Sequence, residues 1–172
     1  MIVTLIGGSP VSMSEWKDMA DTIVYSYYNG MEGGLAFANT IFGEVSPSGK
    51  LPTSFPKKLS DCGAHSIASF PGGNSVEYTE DIFVGYRYFE TFKKDRVLYP
   101  FGFGLSYTTF TQKIVSFENG DGVYTVNVEV TNTGKAAGKE TVMAFVSAPQ
   151  GELGKAAKSL AAYGKTNLLK SG

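Results

Sequence analysis

The sequence has one cysteine, Cys62, and one histidine, His65, in 172 residues. A single thiol excludes an internal disulfide and any multi-thiolate metal site. A single imidazole removes most zinc and triad chemistry. No basic run exists: Lys57-Lys58 and Lys93-Lys94 are isolated pairs, and 15 Lys+Arg against 16 Asp+Glu give a formal net charge of −1. That balance argues against nucleic acid as a partner. No stretch of about 18 apolar residues is present, so no segment is expected to span a membrane. The opening Met1-Ile-Val-Thr-Leu-Ile lacks a preceding basic region and meets Gly7 too early for a secretory leader. An apolar fraction of 42% is that of a folded chain. Glycine and aromatics are abundant, with 21 Gly, 12 Phe and 10 Tyr. Eleven aromatics fall between Val76 and Phe110.

Residues 2–6 form a short, partly β-branched apolar run stopped by Gly7-Gly8, the pattern of a buried parallel strand. Trp16, Met19 and Ala20 are spaced for one short helical face, and Thr22–Tyr28 predicts a second strand. Glu32–Phe42 predicts a helix ended by Gly43. This alternation is a fragment of an open α/β sheet, since two strands and two helices cannot cover both of its faces. Glu44 to Gly73, punctuated by Pro47, Pro52, Pro56 and Pro71, predicts a turn-rich excursion. Ile82–Phe89 predicts a strand, and Tyr99–Phe110 alternates aromatics with glycine as a closely packed segment would. In Val123–Thr131, Tyr124, Val126, Val128 and Val130 share one face, the period-2 pattern of a half-buried antiparallel strand. Thr141–Val146 and Ser159–Leu169 are further strand candidates. They would begin a β-sandwich, which needs about seven strands. Both ends of the chain are expected to fall within a domain.

Each candidate for chemistry has a plainer reading beside it. His65 could serve a Ser/His/Asp arrangement with Asp61, Ser66 or Ser69, but triads are assembled from separate elements, and no G-x-S-x-G elbow occurs. Cys62 would need a nearby base or cation, which only His65 supplies in sequence. Gly7-Gly8-Ser9-Pro10 follows a strand as a phosphate cradle does, but Pro10 stands where a third amide is needed. The glycines are better read as the chain's exit from a sheet edge. Glycoside hydrolysis needs two carboxyl groups facing each other across the bond. Glu80 and Asp81 are adjacent and point apart on an extended chain, while Glu77 and Glu32 suit solvated or capping roles. Arg87 could bind a carboxylate or stack on a ring, with a structural salt bridge preferred. Tyr78, Phe83, Tyr86, Tyr88, Phe89, Tyr99, Phe101, Phe103 and Tyr107 form either a sugar-stacking platform or packing material, and packing is preferred.

Several strings resemble one family. Ser46-Pro-Ser-Gly-Lys-Leu-Pro52 with Ser54-Phe-Pro56 is similar to the N-P-S-G-[KR]-L-P-x-[ST]-[FW]-P signature of family 3 glycoside hydrolases, the β-glucosidases and β-xylosidases. Glu80 to Tyr88 resembles that family's E-[GD]-I-x-V-G-Y-R-Y string, and Tyr99 to Phe110 its P-F-G-[HYF]-G-L-S-Y-T-x-F. Val128 to Gly134, continuing to Gly138-Lys-Glu140, resembles V-T-N-T-G-x-x-x-G-x-E, and Glu32-Gly33-Gly34 to Gly43 its E-G-G-x-A helix. Ser46 and Asn29 depart mildly from the usual Asn and Pro.

The resemblance implies a three-part enzyme. A barrel carries an Asp nucleophile, an α/β sandwich carries a Glu acid/base, and a fibronectin type III-like domain packs behind. The implied reaction is retaining hydrolysis of terminal β-linked glucosides or xylosides without metal or organic cofactor. The implied partners are a β-glucoside or oligosaccharide and the missing barrel domain. The acid/base would lie in a G-E-G-x-D-R-like loop ahead of the Ile2–Ile6 strand. Neither motif occurs in these 172 residues, so no catalytic, substrate-binding or metal residue is carried over. Residues 1–110 then correspond to the C-terminal part of the α/β sandwich with a long linking segment. Residues 111–172 correspond to the beginning of an all-β, incomplete fibronectin type III-like sandwich. The alternative is a stand-alone, non-catalytic module that binds carbohydrate or protein.

Overall fold

The computed structural model describes residues 1–66 and 70–172. They divide into two compact units that interleave along the chain. The first comprises residues 1–34, 51–103 and 145–161, the second residues 35–50, 104–144 and 162–172.

The first unit has α/β character. Strand β1 (Ile2–Leu5) runs parallel to β2 (Thr22–Tyr25), with Ile2 opposite Thr22 and Leu5 opposite Tyr25. Both are shorter than their apolar runs. The expected helical face before β2 is a single 3-10 turn, Lys17–Met19, and Met19 is exposed while Met13 enters the core. The Gly-Gly pair of the helix motif opens α1 (Gly33–Ile41), which runs on into the second unit.

The proline-punctuated stretch is more regular than its composition implied. It contains β3 (Phe55–Pro56) and the single helical turn α2 (Gly63–Ser66). Phe55 is only 1% exposed and anchors the unit, meeting the rings of Tyr25 at 5.2 Å and Tyr99 at 6.4 Å. β3 pairs antiparallel with β4 (Val97–Tyr99), and Leu51 exchanges 2.8 Å backbone bonds with Phe103 and Gly102. The Ser-Gly-Lys-Leu-Pro segment is thereby laid along the Pro-Phe-Gly-Phe-Gly segment.

The strand expected at Ile82–Phe89 is overturned. Tyr86–Phe92 is a helix, α3. Residues 79–82 form a turn, closed by the Phe83 amide on the Glu80 carbonyl at 2.9 Å, and Gly85 at the head of the helix takes φ 61°, a positive value at no steric cost to glycine. Beyond it the residues pack at helical spacing. Tyr88 meets Phe92 at 5.9 Å, Thr91 Oγ1 donates to the Arg87 carbonyl at 2.6 Å, and Phe89 is buried. Strand propensity of Tyr and Phe expresses fit to a pleated surface, and here tertiary packing outweighed it.

The second unit is built on a hairpin, β5 (Phe110–Gly120) and β6 (Val123–Asn132). Its turn places Asp121 and Gly122 both at positive φ. Strand β5 went unrecognised in the sequence because a bulge at Val115 breaks its alternation. Before the bulge Phe110, Gln112 and Ile114 stand opposite Asn132, Val130 and Val128; after it Phe117 and Asn119 stand opposite Val126 and Tyr124. The bulge thus keeps the apolar residues of both strands on one face. Lys113 and Glu129 oppose each other on the other face.

Asn132 fastens the end of this hairpin and is 2% exposed. Its Oδ1 accepts from Thr108 Oγ1 at 2.6 Å and from the Gly134 amide at 3.1 Å, while Nδ2 donates to the Ala136 and Leu169 carbonyls. All four positions of the amide are used. Gly134 and Gly138 both clear room for Thr108, whose side chain a Cβ at either position would strike. Strands β7 (Thr141–Val146) and β8 (Ser159–Lys165) pair in a two-stranded sheet. No helix among the described residues is long and apolar enough to cross a membrane.

Candidate functional site

The residues singled out for nucleophilic chemistry are engaged elsewhere. Asp61 Oδ2 accepts from the Lys58 amide at 3.1 Å, Ser66 Oγ donates to the Gly63 carbonyl at 2.9 Å, and the His65 ring meets the edge of Phe70 at 5.2 Å. Ser69 lies outside the described residues. The Cys62 thiol is pushed up by burial first and then by the Asp61 and Glu80 carboxylates. That direction is the opposite of the lowered pKa that activates a nucleophilic thiol.

The carbonyls of the Gly7–Ser9 turn are taken up by a side chain of the neighbouring strand. The Tyr25 hydroxyl lies 2.9 Å from the Gly7 carbonyl and 2.6 Å from that of Ser9. A Cβ on Gly8 would come 2.8 Å from the Tyr28 ring. Here glycine serves packing against Tyr28, and the carbonyls face a phenol where a phosphate cradle would present amides.

Among the carboxylates, Glu32, Glu77 and Asp81 are exposed. Glu80 folds over Gly63, with Oε1 2.6 Å from where a Cβ would sit. The most enclosed ones are paired with lysine. Glu90 is held between Lys158 at 3.0 Å and Lys94 at 3.4 Å, and Glu140 lies 3.1 Å from Lys50. No group of three His, Cys, Asp or Glu side chains among the described residues is arranged to hold a metal ion.

Most of the aromatic set is packing. Tyr86 stacks on Phe101 at 4.5 Å, Phe145 meets both edge-on, Tyr99 lies 5.2 Å from Phe103, and Phe83 4.8 Å from Phe92. Tyr78 is the exception at 92% exposed. Tyr107 is tied by its hydroxyl to the Thr40 carbonyl at 2.7 Å. Its amide donates to Ser46 Oγ at 3.1 Å, and that hydroxyl also lies 2.8 Å from Ser106 Oγ, so Ser46 fastens this segment.

Sequence reasoning missed Lys50, Glu140 and Asn132 as fasteners. All three sit inside the quoted strings, as does Thr108; what the strings do not show is which of these residues, 24 to 90 positions apart, the fold brings together. It also missed an open cavity of ≈ 440 Å³ in the first unit, walled by Arg87, Lys155 and Ser159 among apolar residues.

Comparison with known proteins agrees with this construction. Residues 1–107 match the model of the glycosyl hydrolase family 3 C-terminal domain. The chain belongs to glycosyl hydrolase family 3. The beta-glucosidase BoGH3A of Bacteroides ovatus is 43% identical over 98% of this chain, and beta-glucosidase A of Butyrivibrio fibrisolvens 42% identical over 100% of it. The chain spans 23% of each of those family members. Among solved structures, beta-glucosidase 3B from Thermotoga neapolitana in complex with glucose superposes with a TM-score of 0.91 at 41% identity, over 99% of this chain and 24% of that one. The Kluyveromyces marxianus beta-glucosidase in complex with glucose gives 0.92 at 39% identity, over 99% and 20%.

Proposed function

We propose that this chain is the C-terminal portion of a β-glucosidase that removes terminal β-linked glucosides, or xylosides, with retention of configuration. The observation that carries the reading is likeness along nearly the whole chain, at 41–43% identity, to proteins each named a beta-glucosidase. Residues 1–110 are assigned to the end of an α/β sandwich and residues 111–172 to the start of a fibronectin type III-like domain. The Asp nucleophile and Glu acid/base belong to parts of the enzyme outside these residues, the nucleophile in a barrel domain. The engagement of the enclosed carboxylates Glu90 and Glu140 with lysines supports this, because a nucleophile and an acid must be free to face the sugar. In this reading the chain's contribution is structural. It supplies packed aromatic and glycine-rich surfaces on which the catalytic parts rest.

Two assays test the proposal together. The purified 172-residue chain is expected to leave an aryl β-glucoside intact. Grafted into Thermotoga neapolitana beta-glucosidase 3B in place of the matching segment, it is expected to support hydrolysis by that host. Turnover by the chain alone, lost in Glu80→Gln, would overturn the assignment of catalysis to outside residues. A soluble chimera without activity would overturn the structural role.

A further inference from the structure

We propose that Asn29 is a site of spontaneous deamidation in the folded chain, and that the fold protects the chemically similar Asn119. Of the seven asparagines only these two precede a glycine. The reaction requires the backbone nitrogen of the following residue to reach the side-chain carbonyl carbon. Glycine crowds that nitrogen least, because it has no Cβ. The Gly30 nitrogen forms a bond to Asn29 Cγ as the bond from Cγ to Nδ2 breaks. Nδ2 leaves as ammonia and takes up the proton that the Gly30 nitrogen gives up. A water molecule then opens the cyclic imide. Opening at Cγ leaves aspartate, and opening at the Asn29 main-chain carbonyl leaves isoaspartate, whose backbone runs through Cβ. The sum is amide plus water to carboxylic acid plus ammonia, with no change of oxidation state. Either product adds one negative charge to a chain whose formal net charge is −1.

The two Asn-Gly pairs stand in opposite surroundings. After β2 ends at Tyr25 the chain runs through residues 26–30 without regular structure, and Tyr27 and Gly30 take positive φ values of 52° and 71°. Asn29 and Gly30 are both exposed. The turn is closed by the Gly33 amide on the Gly30 carbonyl at 3.2 Å. A Cβ at position 33 would lie 2.6 Å from Asn29 Cβ, 3.4 Å from Nδ2 and 3.5 Å from Cγ, so glycine there leaves the carboxamide room to turn towards the Gly30 nitrogen. Asn119 and Gly120 instead close β5, opposite Tyr124 and Val123 in the hairpin ladder. Tyr124 is held in turn by its stack on Phe117 at 5.6 Å. Ring closure at Asn119 requires its backbone to leave the extended conformation, so the ladder must open first. Local opening of a paired strand costs free energy that an unpaired turn does not bear.

The test follows both sites by peptide mapping and mass spectrometry while the purified 172-residue chain is incubated in mildly alkaline buffer, with and without urea. In the folded chain the Asn29 peptide should gain one mass unit at least about tenfold faster than the Asn119 peptide. In urea the ladder is gone, and the two rates should agree within about threefold, since only the local sequence then acts. The converted Asn29 peptide should separate into aspartate and isoaspartate forms, the mark of the imide. Equal rates at the two sites in the folded chain, or a rate ratio that urea leaves unchanged, would overturn the protection. An Asn29 peptide that stays intact while the urea-treated chain converts would overturn the site, and aspartate as the sole product would overturn the route.

Discussion

Lys50 Nζ lies 3.1 Å from Glu140 Oε1, joining two motifs 90 residues apart, and both side chains are largely enclosed at 15% and 11% exposure. Neither group relies on the other alone. Lys50 also donates to the Gly104 carbonyl at 2.9 Å, and Glu140 Oε1 accepts from the Thr141 amide at 3.0 Å. Enclosed pairs repay their desolvation only when such additional bonds are made.

Removing one partner should therefore cost more than removing both. Lys50→Met or Glu140→Leu alone is expected to destabilise the chain by about 2–3 kcal/mol, because each leaves an enclosed charge unpaired. The double variant should lose less than the sum of the singles. Urea unfolding of the four proteins in a double-mutant cycle measures the coupling. Strict additivity would show that the pair contributes no coupling.

Asn132 offers a sharper case. Asn132→Asp keeps the shape but turns two donors, facing the Ala136 and Leu169 carbonyls, into an acceptor. The expected loss is about 3 kcal/mol or more at pH 7, larger than for Asn132→Ala, which removes the bonds without adding a buried charge. Thermal unfolding of both variants decides the order.

The Cys62 thiol, raised by burial and by Asp61 and Glu80, should react slowly with iodoacetamide at pH 7 compared with a free thiol. The linkage has a definite sign. A folded-state pKa above the unfolded value gives stability that is complete below about pH 8.5 and declines as pH rises through the folded pKa. Burial raises the Tyr25 phenol in the same direction, with its effect nearer pH 10. Cys62→Ala should flatten the decline at the lower end of that window in a pH series of unfolding midpoints.

Phe117 and Tyr124 stack at 5.6 Å on the apolar face of the β5–β6 hairpin, yet are 63% and 65% exposed. Replacing both by Thr should cost no more than about 1 kcal/mol, the scale of a cross-strand pair. It should also reduce binding of a hydrophobic dye and slow aggregation, since exposed apolar faces drive both. A change in stability without a change in dye binding would mean that this face is not the adhesive surface.

The legible parts of the fold were those that local pattern controls. Ile2–Leu5 announced itself by a continuous, largely apolar run, β6 by strict alternation, and α1 by Leu35, Ala38, Ile41 and Phe42 on one side with Gly43 as stop. The helix at Tyr86–Phe92 was hidden because its aromatics favour strands in isolation, and the left-handed Gly85 that redirects the chain has no composition signal of its own. β5 was hidden because one bulged residue shifts the period that the eye follows.

The candidate site divided in the same way. Residue strings by themselves carried the family, because they are long, ordered and independent of contacts. They also carried the expectation that the catalytic carboxylates lie outside these residues. What Lys50 and Asn132 do was decided by tertiary structure alone. A side chain's role depends on which donors and acceptors the fold brings within about 3 Å of it, and for Lys50 with Glu140 and Asn132 with Thr108 and Leu169 those partners lie 24 to 90 residues away in the chain. The same residue type is satisfied by Glu140 at position 50 and by Glu90 at position 158.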